Sequence, residues 1–198
     1  MTEHIIEEMR VRFNAAAGAV RVMALLSPTC GPCRYGQGVV RALFESFPDE
    51  GLAGFVVWVP MLPGDNLDTA MAEQNAMSDP RLHFWFDADK AAANEWSSFV
   101  GYPQTSWDMY SIHDGDTVWA AGAPPPTPRI WMHQLNITPA TKLADRLDAT
   151  RLARLWLDLL GEASTRADAL AAVLHANGQA VSARDGSPPH DPRTWAGV

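Results

Sequence analysis

The chain has 198 residues, 47% of them hydrophobic and 19% charged, with 23 acidic against 15 basic side chains and a net charge of −8. That is enough for one domain plus an extension, with an ordinary packed core rather than a disordered chain. The acidic balance, without a basic cluster, argues against nucleic acid as a partner. The longest apolar stretch, 55–62, is interrupted by Pro60 and is far short of the roughly 20 residues a bilayer requires. The first ten residues carry Glu3, Glu7 and Glu8 and do not resemble a secretory signal, so the expected location is the cytoplasm, away from membranes.

Residues 2–15 are expected to form a helix, with Thr2 as N-cap and Ile5, Ile6, Met9 and Phe13 on one face. The run 20–26 (VRVMALL) reads as a buried parallel strand. After the turn Ser27-Pro28-Thr29, a second helix starts at Gly31. Pro32 sits in its first turn, where a missing N–H costs nothing, and Val39, Val40, Leu43, Phe44 and Phe47 make its apolar stripe. Gly36 and Gly38 should weaken it locally.

A second buried strand is predicted at 55–59, a helix at 67–77, a third strand at 82–86 and a helix at 88–99 ended by Gly101 and Pro103. Asp65 and Asn66 read as a turn and a helix cap. Asp87 and Asp89 stand where a helix dipole favours acids. The segment 107–113, the turn Asp114-Gly115 and the segment 117–121 read as a β-hairpin, followed by a proline-stiffened loop leading to 131–135. Leu152, Leu155, Trp156, Leu159 and Leu160 fall on one helical face, with Asp148 as N-cap and Gly161 as stop. A last short helix, 165–177, is expected to end at Gly178, before a loose tail at 179–198. Trp85, Trp96, Trp107, Trp119 and Trp131 recur at spacings of 11 or 12, but their flanks differ, which points to packing rather than to a repeat.

Alternating helices and strands followed by an antiparallel pair imply an α/β fold: a central mixed β-sheet with helices on both faces and a C-terminal helical extension. We place the main domain at 1–161, with its core at 20–160, and the extension and tail at 162–198. The extension could cover a sheet edge or form a homodimer.

The chemistry centres on Cys30-Gly31-Pro32-Cys33, the only two cysteines of the chain. A helix N-terminus carries partial positive charge and unsatisfied N–H groups, which favour a thiolate at Cys30. The thiolate is the attacking species in disulfide exchange, so Cys30 should be open to collision. Cys33, one turn on, is placed to resolve a mixed disulfide. Arg34 could add positive charge. A structural zinc normally takes four ligands, and there is no second cysteine pair.

The strand 20–26, the CGPC motif and the helix after it resemble the thioredoxin superfamily. The stretch 82–89 (LHFWFDAD), the helix after it and Gly101 resemble the peroxiredoxin-related thiol reductant branch. The resemblance implies a thioredoxin-like fold over 20–160 and a disulfide reductase, acting on a protein or small-molecule disulfide and recharged by an external reductant, with no cofactor. The chain departs from that pattern in three respects. Ala24 stands where thioredoxins carry a buried carboxylate, Thr29 where an aromatic precedes the first cysteine, and Ser106 or Trp107 where a cis-proline faces the pair. Pro103 falls too early. Loss of the carboxylate should slow attack by Cys33, and loss of the proline should open the site to soft metal ions.

Within this frame Ser106 could donate a hydrogen bond to Cys30, and Asp108 could serve as a surrogate proton acceptor. Two other readings of the same residues stand beside disulfide exchange. One is a soft-metal binding or sensing protein, for copper or mercury, using Cys30, Cys33, His133 and Met132. The other is a non-catalytic adaptor with a vestigial dithiol. His4, His83, His113, His175 and His190 show no ligand spacing.

Overall fold

A computed structural model of the chain describes residues 2–48, 51–133, 149–160 and 164–183, with the strand at 130–133 described by its backbone. The order is α1 (Thr2–Ala15), β1 (Val20–Leu26), α2 (Gly31–Ser46), β2 (Leu52–Trp58), α3 (Leu67–Ala76), β3 (Leu82–Phe86), α4 (Ala91–Val100), β4 (Met109–His113), β5 (Ile130–His133), α5 (Ala149–Leu159) and α6 (Ala167–Ser182). The strands form one five-stranded sheet in the order β3-β2-β1-β4-β5, with β1, β2 and β3 parallel and β4 and β5 antiparallel to their neighbours. This is the α/β arrangement expected from the sequence, a mixed sheet with helices on both faces and a C-terminal helical part. Among the described residues no helix is long and apolar enough to cross a membrane.

The alternation of side chains along β1 and β4 divides the core. Val22, Ala24, Leu26, Tyr110 and Ile112 face α2, α5 and α6, while Met23, Leu25 and Met109 face α1 and α4 with Phe13, Trp96 and Trp119. Of the five spaced tryptophans, Trp96 and Trp119 are fully buried, Trp85 and Trp107 pack half-buried against the core, and the side chain of Trp131 lies outside the described residues.

The structure moves some boundaries, with β2 beginning at 52 rather than 55 and α4 at 91 rather than 88, and changes two elements outright. Residues 117–121 are not the returning strand of a hairpin; that strand is β5, which begins thirteen residues further on, at Ile130. The backbone of 117–121 is engaged elsewhere. Arg21 Nη1 donates to the Thr117 carbonyl (2.9 Å), and the Asn14 side chain takes both the N–H and the C=O of Trp119 (2.9 and 2.8 Å). Groups held by side chains of α1 and β1 cannot also form a ladder. Helix α6 also runs through Gly178 to Ser182 rather than stopping there. The missing side chain serves packing: a Cβ at 178 would lie 2.6 Å from the Tyr35 ring of α2. The expected caps Asp148 and Gly161 and the tail beyond 183 lie outside the described residues.

Candidate functional site

The parallel strands β1 to β3 end at one pole of the sheet, and antiparallel β4 begins there. Leu25 pairs with Met109, so residue 108 stands beside the end of β1. The dithiol lies at this pole, four residues past Leu26.

Cys30 is the N-cap of α2, with extended backbone (φ −78°, ψ 124°), and Pro32 occupies the first turn. The Cys33 amide donates to Cys30 Sγ over 3.3 Å. Sulfur thus takes the place of the oxygen that usually caps a helix, where an anion is met by N–H groups and the positive end of the dipole. Both cysteines are free thiols. Burial pushes the Cys33 thiol well above the usual range, and its contact with Cys30 and the charge of Asp108 push the same way. Cys33 is therefore a neutral thiol at rest and must lose a proton to act.

The structure corrects the exposure expected of Cys30: its residue is 3% exposed, and that of Cys33 is 1% exposed. The first turn of α2 is packed against the core instead of projecting from it; Pro32 is buried and Trp107 packs half-buried against the same cluster.

Thr29, just before Cys30, is held by a carboxylate. Asp65 Oδ1 accepts from the Thr29 amide (3.0 Å) and hydroxyl (2.6 Å). Its Oδ2 accepts from Ser27 Oγ (2.6 Å) and from the amides of Met61 and Leu62 (2.8 Å each). Burial raises the Asp65 carboxyl, but the hydrogen bonds from Ser27, Thr29 and the loop amides outweigh it and bring it below the usual value. The sequence reading of Asp65 as a simple turn residue missed this role. Asn66 does cap α3, in a reciprocal capping box with Thr69.

Arg34 is committed to structure. Its Nε donates to the Pro28 carbonyl (3.1 Å), and its Nη2 lies 3.3 Å from Glu73 Oε1 of α3. Gln37 Nε2 donates to the Glu73 carbonyl (3.0 Å). These contacts fix the first two turns of α2 against α3.

Ser106 is also corrected. Its hydroxyl is buried and lies 2.7 Å from Ser97 Oγ of α4, so its hydrogen bond goes to that helix and not to Cys30. No cis peptide bond occurs among the described residues.

Asp108 is fully buried, with the left-handed φ of +54°. Its Oδ1 accepts from Tyr110 Oη over 2.9 Å. Ala24 pairs with Tyr110 across the β1–β4 ladder. Asp108 thus places a buried carboxylate immediately before β4, at the end of β1. Tyr110 was not singled out from sequence, and Gly36 only as a residue that weakens α2. The signal was there in Gly36, a helix-weakening residue one turn past Cys33, which marks a close approach.

Among the described residues no group of three or more His, Cys, Asp or Glu side chains could hold a metal ion. The side chains of His133 and Met132, named for the soft-metal reading, lie outside the described residues. His175 Nδ1 lies 2.8 Å from Tyr35 Oη, and His113 Nε2 lies 3.1 Å from Ser111 Oγ. Both histidines serve packed interfaces.

No known family's sequence profile matches the chain, and no curated protein matches it in sequence. The chain is similar in structure to MTB dsbF, solved in its mixed oxidized and reduced forms, at 17% identity and a TM-score of 0.45, covering 73% of this chain and 84% of that one.

Proposed function

We propose that the chain is a thiol–disulfide oxidoreductase working as a disulfide reductase, with Cys30 as nucleophile and Cys33 as resolving thiol. The observation that carries this reading is the capping geometry: Cys30 Sγ receives the Cys33 N–H at the start of α2, in reach of the second thiol. The Cys30 thiolate attacks a protein or small-molecule disulfide, forming a mixed disulfide and releasing one thiolate. Cys33 then gives up its proton, attacks Cys30 Sγ and releases the second thiolate, leaving a Cys30–Cys33 disulfide. An external dithiol or thiol reductant restores the reduced pair. Asp108 is the acceptor of the Cys33 proton. Because Cys30 is only 3% exposed, attack follows a local displacement of the chain around it.

The test is reduction of insulin with dithiothreitol as recharging thiol. The wild type turns over, Cys30→Ser does not, and Cys33→Ser accumulates a persistent mixed disulfide. Absence of turnover by the reduced wild type overturns the reading.

The burial of both sulfurs favours one second reading, an adaptor whose dithiol is unused. It predicts thiols that react with a small disulfide in urea but not in the folded protein.

A further inference from the structure

At the first turn of α2 the chain buries four groups able to carry a proton: Cys30, Cys33, Asp108 and Tyr110. Asp108 and Lys90 are the non-glycine residues with positive φ among the described residues. That conformation is unfavourable for an L-residue, least so for Asp and Asn, and persists where the surroundings impose it. Here it places a carboxylate in the core side by side with a phenol, whose hydroxyl donates to Asp108 Oδ1 over 2.9 Å.

The same hydroxyl reaches α2. A Cβ on residue 36 would coincide with Tyr110 Oη, so glycine at this position is what admits the phenol. Gly36 follows Cys33 by three residues and lies on the same helix face, one turn on. Tyr110 therefore touches both the carboxylate and the helix that carries the resolving thiol. Burial pushes its phenol well above the usual value, and the charge of Asp108 adds to this, so Tyr110 stays protonated and acts as a donor. The titratable groups whose charges reach Tyr110 are Asp108 beside it and Cys33 and Cys30 on α2.

We propose that Tyr110 is a positioning residue for the resolving step, its hydroxyl holding Asp108 charged and oriented so that this carboxylate takes the Cys33 proton. The inference rests on the disulfide-exchange reading above. In the mixed disulfide Cys30–S–S–R, the Cys33 thiol passes its proton to the Asp108 carboxylate. The Cys33 thiolate attacks Cys30 Sγ, the Cys30–Cys33 bond forms, and the S–R bond breaks to release RS⁻. The proton leaves Asp108 for RS⁻ or water, which restores the carboxylate.

Reaction of the reduced protein with 5,5′-dithiobis(2-nitrobenzoate) reads the two steps separately, since the first thionitrobenzoate released reports attack by Cys30 and the second reports resolution by Cys33. In Tyr110→Phe the first release is unchanged within about twofold. The pH midpoint of the second release moves up by half a unit or more, because a carboxylate stripped of a donor keeps its proton to higher pH. Asp108→Asn, in which asparagine tolerates the same backbone, slows the second release at pH 7 by about a hundredfold, the lower end of the usual effect of general-base loss. An unchanged second-release profile in Tyr110→Phe overturns the proposal, as does wild-type resolution in Asp108→Asn. Tyr110→Phe removes one hydroxyl and keeps the ring, so it carries the test if Asp108→Asn does not fold. A wild type that releases no thionitrobenzoate at all refutes the disulfide-exchange reading instead.

Discussion

Strands β1 and β4 bury charge at both ends of their shared ladder, in contrasting ways. At one end Asp108 and Tyr110 lie beside the dithiol on the α2 face. At the other end Arg21 pairs with His113 on the opposite face. Arg21 is fully buried, stacks 4.2 Å from the Phe13 ring centroid, and donates to the carbonyls of Phe13 (3.2 Å), Thr117 (2.9 Å) and Asp114. Its partners are backbone oxygens, which bind a proton donor but do not titrate. Around Cys33 the partners are a carboxylate, a phenol and a second thiol, which can hold or pass a proton. Buried charge alone thus does not mark a functional site; what distinguishes one is whether the neighbours can exchange protons with it.

The largest expected effect is on stability, at the Arg21 end. Arg21→Met leaves three carbonyls, one buried and two partly buried, without their donor and should cost about 3 kcal/mol in urea unfolding. The folded fraction should keep its dithiol reactivity within about twofold. A loss below 1 kcal/mol, or a parallel loss of reactivity, would erase the contrast between the two ends.

His113 makes the same end sensitive to acid. Burial, with help from the charge of Arg21, lowers its imidazole from 6.5 to about 3. Between those values the unfolded chain binds the proton and the folded chain does not, so stability is intact above pH 6.5 and falls as pH drops toward 3. At about 1.4 kcal/mol per pH unit, the loss by pH 5 is about 2 kcal/mol. His113→Gln should flatten that slope. An unaltered slope would assign the acid sensitivity to other groups.

A smaller effect is expected on the far flank of α2. Gly178 lies inside α6, and helix propensity alone favours Gly178→Ala by about 1 kcal/mol. Packing opposes it, because the new methyl would meet the edge of the Tyr35 ring, whose hydroxyl is tied to His175. Overpacking of this kind costs about 1–3 kcal/mol, and a 2.6 Å approach puts it near the upper end, about 2.5, so the net expectation after the propensity gain is a destabilisation of about 1.5 kcal/mol. A raised melting temperature would show that the ring yields.

These cases also show what the sequence could reveal. Strand β1, strand β3 and the start of α2 were legible to the residue because each has its own local pattern: an apolar run, or a proline in a first turn. Segment 117–121 follows the hairpin signal Asp114-Gly115, yet its hydrogen bonds are claimed by Asn14 and Arg21, about a hundred residues away in sequence. No local rule sees such competition. The cysteines were legible as a site because two thiols three apart at a helix start have few other uses. Asp108 was legible as a candidate but Tyr110 was not, since a tyrosine on a strand is ordinary until the structure places Gly36 against its hydroxyl.

The loop ahead of the dithiol provides the smallest effect and the finest distinction. Asp65 binds Ser27, Thr29 and two loop amides, so it connects the segment after β2 to the residue before Cys30. Asp65→Asn keeps one acceptor oxygen but turns an amine toward donors that need another. Near neutral pH the expected cost is about 1 kcal/mol. Burial raises this carboxyl, but the hydrogen bonds to it prevail and lower it, so its contribution is present above the ordinary carboxyl range and is lost as pH falls through the lowered value. The wild type and Asp65→Asn should therefore differ by a constant amount from pH 5 to 8 and converge in stronger acid, opposite in range to the slope from His113. The first thionitrobenzoate release should slow about two- to fivefold, because Thr29 no longer fixes the approach of Cys30, while the second keeps its pH midpoint. A shifted second midpoint would mean that Asp65, and not Asp108 with Tyr110, governs the proton of Cys33.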